Sequence, residues 1–148
     1  MTYGRIVVGT DGSETASKAV EHAARLASTV GAALIAVTAY DPHPAGLDRD
    51  RAEAPDEIKW RITASGTADD HARDAVRLAR QAGVTEASAV SEAGSAAEAL
   101  LEVADRRRAD LIVVGSRGMS SPGRFLLGSV PNAVSHHAPC DVMIVRTG

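Results

Sequence analysis

Cysteine occurs once in the 148-residue chain, at Cys140. A single thiol excludes an intramolecular disulfide and a cysteine-cluster metal site. Cys140 stands beside the start of an apolar run with no neighbouring base in the sequence, so it reads as structural rather than reactive. Long hydrophobic runs are also missing. The apolar stretches extend five to eight residues, against the roughly 20 that a membrane-spanning helix needs. The opening "MTYGRIVVG" enters an apolar run without a charged-then-apolar leader, and the expected location is cytoplasmic, with no membrane partner. Positive charge is in short supply too. Sixteen Lys and Arg against nineteen Asp and Glu leave a formal charge of −3, which makes no electrostatic case for a nucleic-acid partner. The one local basic run, Arg106-Arg107-Arg108, reads as the solvated last turn of a helix, where cations suit the dipole.

Catalytic signatures are absent as well. There is no G-x-x-x-x-G-K-[ST], so no P-loop lysine is available to a transferring phosphoryl group. No G-x-S-x-G nucleophile elbow anchors a hydrolase triad. His22 and His71 fall within helical stretches without a partner at metal-ligand spacing, and His136 and His137 sit near the end of a short helix, where a cation is favourable. No catalytic residue is assigned. A slow ATPase or autophosphorylating activity stands as the enzymatic alternative, and a nucleotide-independent, chaperone-like dimer as a third reading.

What is present describes one ordinary α/β domain over residues 1–148. The hydrophobic fraction is 45% and the charged fraction 24%, ordinary values for a globular chain of this size. "RIVVG" (5–9) is a β-branched run without polar alternation, the pattern of a parallel strand covered on both faces. Ser13 is placed to cap a helix that ends at Gly31. "ALIAVTAY" (33–40) follows as a second strand, then a proline-containing loop at 41–58 and a long helix from about Lys59 to Gln81. The spacing then predicts a weaker strand at 86–93, a helix from Ser95 to about Arg107, strand 110–115, a short helix near 130–136 and a last strand at 141–146. Five strands alternating with four helices argue for a parallel sheet with right-handed crossovers.

Ligands of such sheets bind outside the carboxyl ends of the strands, where strand order reverses. Two strands end in distinctive residues: the first in Gly9-Thr10-Asp11-Gly12-Ser13, the fourth in Gly115-Ser116-Arg117-Gly118. The stretch "GSRGMSSPGRFLLGS" (115–129) closes with Gly128-Ser129 where a helix begins. Glycines admit close approach of backbone amides to an anion, and a helix N-terminus adds unpaired N–H groups and partial positive charge. The arrangement points to phosphate, with Arg117 and Arg124 as further contacts and Ser129 as a hydroxyl donor. Asp11 is placed either to accept from a ribose or hold Mg²⁺ through water, or to cap the following helix.

The segments "IVVGTDGS", "DLIVVGSRGMSSPGRFLLGSVPNAV" and "CDVMIVR" closely resemble the universal stress protein family over essentially the whole chain. The most specific element is the G-x₂-G-x₉-G-[ST] pattern of ATP-binding members, met by Gly115, Gly118, Gly128 and Ser129. The resemblance implies a Rossmann-like, adenine nucleotide alpha hydrolase-like sheet in the order 3-2-1-4-5 with helices on both faces. It implies adenine-nucleotide binding in a stress-response sensor or regulator. Carried over by position, the nucleotide contacts are Gly9, Thr10, Asp11, Ala39, Val114, Gly115, Arg117, Gly118, Gly128, Ser129 and Val130. "GSVPNAVS" also resembles actinobacterial members that favour cyclic AMP, so the ligand stays open between ATP, with or without Mg, and cyclic AMP. Members commonly dimerise through the last strand. An apolar edge strand is a liability unless another chain covers it, which marks Val142, Met143, Ile144 and Val145 as the expected homodimer contact.

Overall fold

A computed structural model of the protein describes residues 3–41, 54–116 and 129–147. Nine elements alternate along the chain: β1 (Arg5–Gly9), α1 (Glu14–Val30), β2 (Ala33–Tyr40), α2 (Ala54–Gln81), β3 (Ala87–Ala93), α3 (Ala96–Arg106), β4 (Leu111–Gly115), α4 (Ser129–His137) and β5 (Asp141–Val145). The strands form one sheet in the order β3-β2-β1-β4-β5, every neighbouring pair parallel. This is the expected topology. Boundaries fall within a residue or so of expectation except at α2, which starts at Ala54 rather than near Lys59. Pro55, Asp56 and Glu57 therefore occupy its first turn. Proline suits that position because its missing N–H has no helical partner there. The expected loop at 41–58 shortens accordingly, and 42–53 lie outside the described residues.

Each strand feeds two cores, because successive side chains alternate between faces. Ile6, Val8, Leu34, Ala36, Leu111 and Val113 pack under α1 and α2. Val7, Ile35, Val37, Ile112 and Val114 pack under α3 and α4. The first layer is built from small residues on the helix side. Ala16, Ala19, Ala23, Ala24 and Ala27 of α1, and Ala68, Ala72, Ala75 and Ala79 of α2, are all buried. Their steps, mostly of three and four residues, put an alanine-rich face on the sheet, with Val20 buried among them, and the short side chains let the helices lie close to it.

The helix starts hold as expected. Ser13 Oγ accepts from the Ala16 amide at 3.2 Å. Ser95 goes further and forms a capping box, accepting from the Glu98 amide at 3.2 Å while Glu98 Oε1 accepts from the Ser95 amide at 3.1 Å. At the amino ends of the strands, Asp110 ties β4 to β1. Its Oδ1 accepts the Arg5 amide at 2.8 Å, and the Gly4 amide lies 3.1 Å from Oδ2. Burial works against its ionisation, but the Arg5 and Gly4 amides outweigh that and hold its carboxyl below the ordinary range. None of the described helices is long and apolar enough to cross a membrane.

Candidate functional site

The order of the strands fixes where a site can form. β1 lies between β2 and β4, α1 and α2 cover one face, and α3 and α4 cover the other. Chains leaving the adjacent carboxyl ends of β1 and β4 therefore diverge to opposite faces. A crevice opens at such a switch point.

The β1–α1 loop is tightly built. The Thr10 amide donates to Val37 O at 2.9 Å, which extends the β1–β2 pairing past the end of β1. Thr10 Oγ1 accepts from the Gly12 amide at 3.1 Å, and Asp11 Oδ1 accepts from the Ser13 amide at 2.9 Å. Asp11 thus performs the turn-capping role with one oxygen. Gly12 has φ +82, in the left-handed region, and the imidazole of His71 covers it: a Cβ added to Gly12 would lie 2.3 Å from His71 Nδ1. Only glycine fits both demands.

Gly9 has a different reason to be glycine. It is buried, and a Cβ there would stand 3.1 Å from both methyls of Leu100 on α3. Its backbone is thus closely covered by the α3 core. At the end of β4, a Cβ on Gly115 would lie 3.2 Å from Thr147, beyond β5. The Ser116 amide donates to Val145 O at 2.7 Å, and Ser116 Oγ accepts from the Thr147 amide at 3.2 Å. Ala39 is half-buried at the end of β2, on the α3 face with the buried Val114 and Val130. Ser129 is exposed as the first residue of α4. Arg117, Gly118, Arg124 and Gly128 lie outside the described residues. No cluster of three or more metal-ligating side chains forms among the described residues.

A hydroxyl-bearing row that the sequence does not advertise lies on the α1/α2 face. Thr38 and Ser91 are register partners on β2 and β3. Ser91 Oγ donates to Asp69 Oδ1 of α2, while Thr38 is 3% exposed and its Oγ1 has no partner among the described residues. His71 is two residues beyond Asp69, so α2 bears on the strand ends and on the Gly12 turn together.

The family model for the universal stress protein family matches residues 2–146. A universal stress protein of Mycobacterium tuberculosis is 38% identical over 148 residues, covering 98% of this chain and 97% of that protein. The chain belongs to the universal stress protein family. Among solved structures, a universal stress protein in complex with cAMP is 37% identical, covers all of both chains and superposes with a TM-score of 0.76. The universal stress protein from Archaeoglobus fulgidus in complex with dAMP is 25% identical, covers 99% of this chain and 100% of that one, and has a TM-score of 0.64.

Proposed function

We propose that this universal stress protein binds an adenine nucleotide across the carboxyl ends of β1 and β4 and serves as a nucleotide-responsive regulator in a stress response. The observation that carries this reading is the switch point itself, where the Gly12 turn and Gly115 end adjacent strands and the N-terminus of α4 begins at exposed Ser129. Relatives solved with cAMP and with dAMP support it. In this reading the phosphates lie against the α4 N-terminus and the glycine stretch 115–128, Arg117 adds charge, and Thr10, Ala39, Val114 and Val130 flank the nucleoside. Asp11 has spare acceptor capacity, since a carboxylate offers about four lone-pair sites and one is engaged. It can accept from a ribose hydroxyl or hold Mg²⁺ through water when the ligand is ATP.

Calorimetric titration of nucleotide-stripped protein with Mg-ATP and with cyclic AMP tests this, repeated on Ser129→Glu. An acid at the first position of α4 suits the helix dipole, so the fold is retained. The same charge faces the phosphate and is expected to weaken binding about 10-fold or more. Heat from neither nucleotide, or an unchanged Ser129→Glu, overturns the reading.

The protein is further proposed to act as a homodimer paired through β5. Ile144 is 36% exposed on this edge strand, an unusual position for a large apolar side chain, and Val142, Met143 and Val145 are only half-buried. Covering them removes an open strand edge. Sedimentation equilibrium is expected to give a dimer that Ile144→Lys shifts to monomer; a wild-type monomer at micromolar concentration rejects the pairing.

A further inference from the structure

Three helices leave the sheet's amino end by the same turn, and one of them does so with the wrong residue. After α1, Gly31 (φ +74) reverses the chain and the Ala32 amide reaches back to Ala27 O at 2.9 Å. After α2, Gly83 (φ +103) does the same, with Val84 bonded to Ala79 O at 3.1 Å. After α3, the Ala109 amide bonds to Ala104 O at 2.9 Å and the Arg108 amide to Asp105 O at 3.3 Å. Both hydrogen bonds of the glycine turn are present, yet the left-handed position is Arg108, at φ 55. Among the described residues it is the only non-glycine with positive φ. A side chain in this region strains the backbone, which is why glycine dominates the position. Such an outlier points to a role for the side chain.

Arg108 lines a cleft of about 680 Å³ together with Arg5, Arg80, Arg106 and Arg107. The five arginines come from the start of β1, the last turn of α2 and the end of α3, and among the described residues the only acid lining the cleft is Glu86. Part of this charge is used internally. Arg106 pairs with Glu92 at 3.1 Å, Arg5 Nη1 donates to Arg107 O at 3.3 Å, Arg80 Nη2 donates to Ala87 O at 3.4 Å, and Arg107 Nη2 donates to Ser88 Oγ at 3.2 Å. Each guanidinium carries five N–H donors, so one bond apiece orients Arg5, Arg80 and Arg107 and leaves most of their donors unspent, whereas Arg106 gives both Nη groups to Glu92, at 3.1 and 3.4 Å, and lies 3.9 Å from Glu102. The remaining lining is Ala33, Ile35, Thr85, Ala87 and Ser88, with no aromatic ring among the described residues on which a base could stack.

We propose that this arginine cleft, at the end of the sheet opposite the nucleotide crevice, is a second ligand site that binds compact anions carrying two or more phosphates. Guanidinium forks match phosphate oxygens in bidentate pairs, and the cleft volume is that of a small-molecule site. Lacking a stacking surface, the site reads phosphates and not the group attached to them.

The test uses inorganic pyrophosphate and, in parallel, ADP, on protein saturated with whichever nucleotide fills the other crevice. Amide resonances of 85–88 and 106–108 are expected to shift saturably with pyrophosphate, and ADP to bind here no more tightly. Arg108→Gly is expected to raise Tm by about 3 °C, because it relieves the left-handed strain, while weakening pyrophosphate about 10-fold through loss of a charge-assisted contact. A gain in stability with a loss of binding separates ligand contact from damage to the fold. Arg25→Gln, an equal charge change on exposed α1, is expected to leave pyrophosphate binding unchanged. The proposal fails if pyrophosphate produces no saturable shift at millimolar concentration, if the shifts fall only at the β1 and β4 carboxyl ends, if ADP binds where pyrophosphate does not, if Arg25→Gln weakens binding as much as Arg108→Gly, or if Arg108→Gly does not raise Tm.

Discussion

Gly12→Val is expected to be among the most damaging single substitutions in this protein, costing about 3 kcal/mol of stability or more and abolishing nucleotide binding. Two separate demands meet at this residue. Its φ of +82 costs an L-residue about 1–2 kcal/mol, and a β-branched side chain more. Its Cβ would also penetrate the His71 ring, with Cγ, Cε1 and Nδ1 all within 2.8 Å. Since His71 is only half-buried, the ring can be displaced, but the turn beneath it cannot relax freely. Thr10 Oγ1 and Asp11 Oδ1 both hold amides of this turn, so distortion at Gly12 moves the groups proposed to meet the nucleoside. Urea unfolding measures the total, and a second background divides it. In His71→Ala, Gly12→Ala retains the backbone cost of about 1–2 kcal/mol and sheds the steric part. If Gly12→Ala costs the same in both backgrounds, the imidazole is not what excludes a side chain there.

His71 shows where sequence reading stops. Its helix was legible from periodicity, but nothing in the spacing connects it with Gly12, 59 residues earlier. The contact exists because α2 crosses back over the sheet on the same face as α1, and that is a property of topology. The alternation of strands and helices was readable because strands covered on both faces are uniformly apolar. The order 3-2-1-4-5, in contrast, followed from the family resemblance and not from any spacing. α2 began earlier than its periodicity suggested because Pro55 reads as a loop residue unless it falls in a first turn. Glycines were the most ambiguous letters. The family resemblance makes Gly9 a nucleotide contact, and Leu100 independently occupies the space its side chain would need. A glycine is equally required by a ligand and by a neighbouring side chain, and one sequence does not distinguish them. The run Arg106-Arg107-Arg108 is the exposed end of α3 that the sequence suggests, but what gathers around it is set by topology. Its companions Arg5 and Arg80 sit on other elements, and the left-handed φ that sets Arg108 apart has no signature in composition.

The ambiguity at Gly9 can be resolved by a double-mutant cycle with Leu100, which also carries the second large effect. Leu100 is 1% exposed, so Leu100→Ala is expected to cost about 3–5 kcal/mol from lost burial and the cavity left behind. Gly9→Ala alone forces the Leu100 methyls back by a few tenths of an ångström from a 3.1 Å approach, an overpacking cost of about 1–3 kcal/mol. A gain of about 0.4–1 kcal/mol from a less flexible unfolded chain partly offsets it. In the Leu100→Ala background that steric opposition is gone and the new methyl enters vacated space. Gly9→Ala is then expected to change sign and stabilise, which gives a coupling well beyond the roughly 0.5 kcal/mol of independent sites. Denaturant unfolding of the four proteins measures it. Additive costs would mean that Leu100 does not dictate the glycine. Nucleotide affinity of the Gly9→Ala protein supplies the complementary readout. If affinity collapses while stability barely moves, Gly9 is glycine for the ligand. If stability falls and the folded fraction binds normally, α3 packing sets the residue, and the backbone of β1 is held at its carboxyl end by the core beneath the crevice.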